Sequence, residues 1–203
     1  IPSEQSGVGF NNQITETPTE HIYTFNYIYN GAGVAIADFD NDGLQDIYFT
    51  GNQVPDRLYK NLGNFKFEDV SEKAGILGLG GWRNGVSTVD INNDGLTDLY
   101  ICRGGFKNGP ENKNLLLINQ GAMKFAEEAE KYGIADPGYS ITSTFFDYDF
   151  DGDLDLFVTN RPERWGIRED SILMVKNLMA KGEFDPNTTN KLYRNEGNGH
   201  FID

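Results

Sequence analysis

Nine residues, DFDNDGLQD at 38–46, return as DINNDGLTD at 90–98 and as DYDFDGDLD at 147–155, 52 and 57 residues apart. A tandem repeat of that period restricts a chain to architectures in which one supersecondary unit recurs side by side. The flanks repeat as well. Each nonapeptide follows an alternating run (GVAIAD, GVSTVD, ITSTFFD) and precedes another (DIYFT, DLYIC, DLFVT), the period-two signature of strands. A second motif travels with the first: RLYKNLGNFKFEDV at 57–70, NLLLINQGAMKFAEE at 114–128 and KLYRNEGNGHFID at 191–203. Each is an apolar strand, an Asn-x-Gly turn and a strand carrying Phe67, Phe125 or Phe201. Asn and Gly tolerate the positive φ of tight turns, so these read as β-hairpins. A short helical stretch ending AGI or YGI follows the first two.

One unit is therefore strand, acidic loop, strand, connection, strand, turn, strand: four short strands in about 50 to 55 residues, the size of a propeller blade. The expected fold is all-β, with three four-stranded β-propeller blades at 33–84, 85–140 and 141–203. The leading segment 1–32 is expected to supply an edge strand or a cover, its aromatic FNYIYN reading as strand. Closed rings take about four to eight blades, so three blades are expected to be part of a larger propeller.

The repeated loop poses an electrostatic problem. Carboxylates crowded into nine residues repel one another, which raises their pKa values or opens the loop unless a cation sits among them. Positions 1, 3, 5 and 9 supply side-chain oxygen: Asp38, Asp40, Asp42 and Asp46, then Asp90, Asn92, Asp94 and Asp98, then Asp147, Asp149, Asp151 and Asp155. Position 7 (Leu44, Leu96, Asp153) offers a backbone carbonyl, and the glycine at position 6 (Gly43, Gly95, Gly152) permits the sharp turn. An all-oxygen, flexible set suits Ca²⁺, whereas Mg²⁺ keeps more water and zinc favours His or Cys. About three Ca²⁺ ions are expected, the loop with neutral Asn92 binding most weakly. An EF-hand is excluded, because its position 12 needs Glu and here holds Phe49, Ile101 and Val158.

Charge places the acidity in those loops. They hold 12 of the 31 acidic residues, and the rest of the chain is nearly neutral against its 17 Lys and Arg. The net charge of −14 argues against nucleic acid as a partner. Cys102 reads as a small strand residue. No Ser/His/Asp or Cys/His set is apparent, His21 and His200 lying far apart, so no catalytic residue is assigned. A sequon at 187–189 and the absence of a membrane-length apolar run complete the inventory.

The DxDxDGxxD loop between two strands resembles the FG-GAP/VCBS repeat family, the calcium-binding blades of integrin α-subunit propellers. The longer form, GAGVAIADFDNDGLQDIYFTGNQ followed by LYKNLGNFKFEDVSEKAGI, is most similar to VCBS-repeat proteins related to cartilage acidic protein. The resemblance implies a β-propeller with Ca²⁺ as a structural ion, exported to the cell surface, the periplasm or the exterior, with any lipid anchor outside this chain. The literal Phe-Gly and Gly-Ala-Pro signatures are absent, so no ligand is carried over.

The function expected is a non-catalytic, calcium-stabilised module for binding or assembly at the cell surface, with an unknown protein or glycan partner. The alternatives are a glycan-binding or accessory subunit of an outer-membrane uptake complex, or part of a secreted carbohydrate-active enzyme. A long connection, 160–190, interrupts the third unit and includes an amphipathic helix with Ile172, Val175 and Met179 on one face. Trp165 with Arg161, Arg164 and Arg168 is a candidate ligand platform there, or a packed tryptophan among solvated arginines.

Overall fold

The computed structural model describes residues 2–105, 112–161, 188–197 and 199–203. Among them, twelve strands form three four-stranded antiparallel sheets, each a simple meander. The first contains β1 (Val34–Ala37), β2 (Asp46–Phe49), β3 (Arg57–Asn61) and β4 (Phe67–Asp69). The second contains β5 (Arg83–Val89), β6 (Asp98–Arg103), β7 (Leu115–Asn119) and β8 (Phe125–Glu127). The third contains β9 (Ser140–Phe146), β10 (Asp155–Asn160), β11 (Lys191–Asn195) and β12 (Phe201–Ile202). This is the expected all-β fold of blade-type sheets. Of the expected 160–190 insertion, the helix and the platform residues Arg164, Trp165 and Arg168 lie outside the described residues.

Strand periodicity dictates how the sheets pack. In the second sheet, Leu99 and Ile101 pair with Leu117 and Leu115, and Tyr100 pairs with Leu116. Alternate side chains leave on opposite faces, so Leu99, Ile101, Leu115 and Leu117 form one surface and Tyr100, Cys102, Leu116 and Ile118 the other. The first surface meets Phe39, Tyr48 and Leu58 of the first sheet. The second meets Leu156, Val158, Tyr193 and Phe201 of the third. A sheet covered on both faces needs apolar residues at every position, and all of β6 and β7 is buried.

The first strands of the sheets lie side by side. Ser87 Oγ is 2.8 Å from Ser143 O, and Asn84 Nδ2 donates to Ser140 O at 2.7 Å. Glycine is required at the approach: a Cβ on Gly33 would stand 2.6 Å from Asn84 O, and one on Gly85 2.7 Å from Ile141 O. Strands β1, β5 and β9 together line a hollow of about 360 Å³. The sheets thus fan outward from neighbouring inner strands.

The leading segment differs from one expectation. FNYIYN forms turns, with Phe25 N and Thr24 N both donating to His21 O and Ile28 N to Phe25 O. Its burial follows i, i+3 spacing: Phe25 and Ile28 pack against Trp82 while Tyr23 and Tyr29 face solvent. An aromatic alternation of six residues satisfies both periods, and the Trp82 surface selects the turn. Upstream, Phe10 stacks on Phe49 with ring centroids 4.8 Å apart, and Asn12 exchanges hydrogen bonds with Asn52. Arg161, read from sequence as a solvated or ligand-facing arginine, is buried, with its guanidinium over the Phe25 and Tyr139 rings.

Candidate metal loops

Each acidic loop connects the first and second strands of its sheet, and each closes by the same hydrogen bonds. The position 1 carboxylate accepts from two backbone N–H groups: Asp38 from Asp42 and Gly43, Asp90 from Asp94 and Gly95, Asp147 from Asp151 and Gly152. The position 5 carboxylate accepts the N–H two residues on, at 2.8–2.9 Å from Leu44, Leu96 and Asp153. Position 4 is left-handed in all three, at φ 57° for Asn41, 56° for Asn93 and 63° for Phe150. The glycine at position 6 is left-handed too, at 88°, 82° and 97°. The sequence folds this way because Asp side chains replace the backbone acceptors a tight turn lacks, and Asn and Gly tolerate positive φ.

This fold gathers positions 1, 3 and 5. One oxygen each from Asp38, Asp40 and Asp42 lie within 4.8 Å of one another, as do oxygens of Asp147, Asp149 and Asp151. Asp40 Oδ1 is buried and accepts no hydrogen bond. In the second loop, Asn92 Nδ2 donates to Asp94 Oδ2 at 2.9 Å and Asn92 Oδ1 accepts from Asp94 N. Desolvation, with Asp151 and Asp155 nearby, raises the Asp149 pKa from its ordinary value.

Position 9 has a different setting. Asp46, Asp98 and Asp155 are fully buried. Each spends both oxygens on backbone. Asp46 accepts from Phe39 N and Asn61 N, Asp98 from Ile91 N and Asn119 N, Asp155 from Tyr148 N and Asn195 N. Burial pushes the Asp98 carboxyl up to about 6 and raises Asp46 as well, against the lowering effect of those N–H donors. Each oxygen keeps a second lone pair, so position 9 closes the loop whether or not it also meets a cation.

Two features escape a reading by loop spacing. The Asn of each Asn-x-Gly turn is the residue whose N–H reaches position 9. Its side chain also donates into the acidic loop: Asn61 to Gln45 O, Asn119 to Thr97 O, Asn195 to Leu154 O. The two travelling motifs are one physical clasp, and their parallel recurrence at unequal separations was the available signal. The second feature is Lys60 on β3, whose ammonium bridges Asp40 and Asp42, at 2.8 Å from the latter, and holds Asp42 below its ordinary pKa. Nothing in the loop announces it, since the equivalent positions hold Ile118 and Arg194. The loops also touch across sheets: Asn41 Nδ2 donates to Gly95 O, and Asn119 Nδ2 to Phe39 O.

Four-stranded meanders packed face to face, each with an acidic loop between its first two strands, define a repeat protein of propeller-type blades. Residues 38–101 match the FG-GAP-like repeat family model, which bears out the resemblance read from the sequence. The chain is similar to cartilage acidic protein 1 of Xenopus tropicalis, 28% identical over 131 residues that cover 64% of this chain and 20% of that protein. The proteins of that name from Mus musculus and Homo sapiens are also 28% identical over 131 residues, covering 64% of this chain and 20% and 19% of theirs. The chain thus spans about a fifth of the length of these relatives.

Proposed function

We propose that this chain is a non-catalytic, calcium-stabilised module of β-propeller blades, at 33–84, 85–140 and 141–203, serving binding or assembly at the cell surface. The buried, unpartnered Asp40 Oδ1 amid neighbouring carboxylates carries the reading. A buried carboxylate oxygen without a donor costs about 1–3 kcal/mol or more, and a cation removes that cost together with the mutual repulsion. The all-oxygen donor set favours Ca²⁺.

Asp38, Asp40, Asp42 and Asp46 would hold one ion, Asp90, Asn92, Asp94 and Asp98 a second, and Asp147, Asp149, Asp151, Asp153 and Asp155 a third. The carbonyls of Leu44, Leu96 and Asp153 would complete each set. Bound Ca²⁺ would supply charge neutralisation, tying the first strand of a sheet to its second and, through the Asn clasp, to its third. Such flexible loops suit millimolar Ca²⁺, which supports a place outside the cytoplasm. No helix among the described residues is long and apolar enough to cross a membrane. The faces of the fan remain for a protein or glycan partner.

Calorimetric titration with Ca²⁺ and with Mg²⁺ tests this. Saturable Ca²⁺ binding at about three sites, with Asp40→Asn removing one, is expected. Absence of Ca²⁺ binding, or no change on Asp40→Asn, would contradict it.

A further inference from the structure

Ser3-Glu4-Gln5-Ser6-Gly7-Val8 repeats the pattern of Ser71-Glu72-Lys73-Ala74-Gly75-Ile76 and of Glu130-Lys131-Tyr132-Gly133-Ile134, which end the first and second blades. The structures agree. Ser6 N donates to Pro2 O, as Ala74 N does to Val70 O and Tyr132 N to Glu128 O. The glycine that follows is left-handed each time, at φ 82°, 75° and 79°. The partner is also equivalent. A Cβ on Gly75 would meet Phe125 O of the second sheet at 3.7 Å, and one on Gly133 would meet Phe201 O of the third at 2.7 Å. A Cβ on Gly7 would collide with Phe67 O of the first sheet. In the two internal cases, the last turn of one blade seats on the fourth strand of the next. Residues 3–8 seat on the fourth strand of the first sheet in the same way.

The face beside them is only partly covered, with Phe10 stacked on Phe49. Ile76 and Ile134 are fully buried between blades, whereas Val8 is half-buried. Leu99 and Ile101, and Leu156 and Val158, are fully buried; their counterparts Ile47 and Phe49 are half-buried. Met123 at the second hairpin is 5% exposed, and its counterpart Phe65 is 70% exposed.

We propose that residues 3–8 are the terminal turn of a further four-stranded blade, and that the face carrying Ile47, Phe49 and Phe65 is a blade–blade interface occupied by it. The occupant presents what each internal neighbour presents: an aromatic and a leucine from its second and third strands, as Tyr48 and Leu58 do toward the second sheet. The inference rests on backbone and packing, independently of whether the loops take up a cation.

The test adds residues 81–127 directly ahead of Pro2, so that a copied second blade runs into residues 3–8, and follows the thiol of Phe65→Cys with a maleimide. Cys102 is buried and stays silent. In the unextended chain the introduced thiol reacts at an unprotected rate. In the extended chain its reaction slows by about tenfold or more, independently of protein concentration. Gly7→Val in the extended chain restores fast labelling, because its side chain displaces the turn from Phe67 O. Unchanged labelling after extension would overturn the proposal, since this face is what would fold and seat the added blade. Protection that survives Gly7→Val would overturn the assignment of residues 3–8. Protection of the unextended chain that grows with its concentration would give the face to a second copy and overturn the proposal too.

Discussion

Phe150 occupies a position where the other two loops carry Asn, at φ 63° and 91% exposed. A bulky side chain there pays a left-handed penalty of about 1 kcal/mol, which Asn largely avoids through local hydrogen bonding. Phe150→Asn is therefore expected to raise stability by about 1 kcal/mol in urea unfolding, with Ca²⁺ uptake unaltered. Lys60 acts on the first loop in the opposite sense, as a tethered cation among its carboxylates. Lys60→Met should tighten Ca²⁺ binding at that loop several-fold, read by calorimetry as a gain at one site only. With the ammonium in place, the first loop competes with the Asn92 loop for the weakest binding. Cys102 is a third residue with a defined outcome. Burial pushes its thiol up to about 12, so at pH 8 it stays protonated and reacts only when the second and third sheets part. Native labelling by iodoacetamide should then be slow, and faster in EDTA than in Ca²⁺.

At the scale of elements, the acidic loop and the Asn-x-Gly hairpin form one clasp with position 9 at its centre. This separates two roles that the sequence leaves merged. Asp98→Ala strands two buried N–H donors, of Ile91 and Asn119, and should cost about 2–4 kcal/mol even in EDTA. Asp94→Ala leaves that clasp intact and should act mainly through lost Ca²⁺ stabilisation, most of its effect vanishing in EDTA. Equal losses for both variants in EDTA would contradict the division. The strands themselves were legible because alternation and the Asn-x-Gly turns act locally. The positions 1 to 9 were legible because Asp and Gly perform the turn chemistry themselves. Lys60 and the clasp were not, because both are contacts between strands whose register only the folded sheets fix. FNYIYN misled for a related reason: six aromatic-rich residues fit two periods, and a distant tryptophan made the choice.

For the whole molecule, the sheets cohere through two apolar interfaces and a buried ion pair, Arg83 Nε to Asp56 Oδ1 at 2.5 Å, that ties the start of the second sheet to the loop between the second and third strands of the first. Those contacts exist without any cation, so the fan has an intrinsic stability to which the loops add. Each site filled at about ten times its Kd contributes about 1.4 kcal/mol, and a domain of this size gains about 2–4 °C per kcal/mol. The most direct measurement is thus calorimetric melting of the purified chain in EDTA and in millimolar Ca²⁺. Three such sites should raise the melting temperature by about 8 °C or more in Ca²⁺, reversed by chelation. Identical melting temperatures in the two buffers would contradict it.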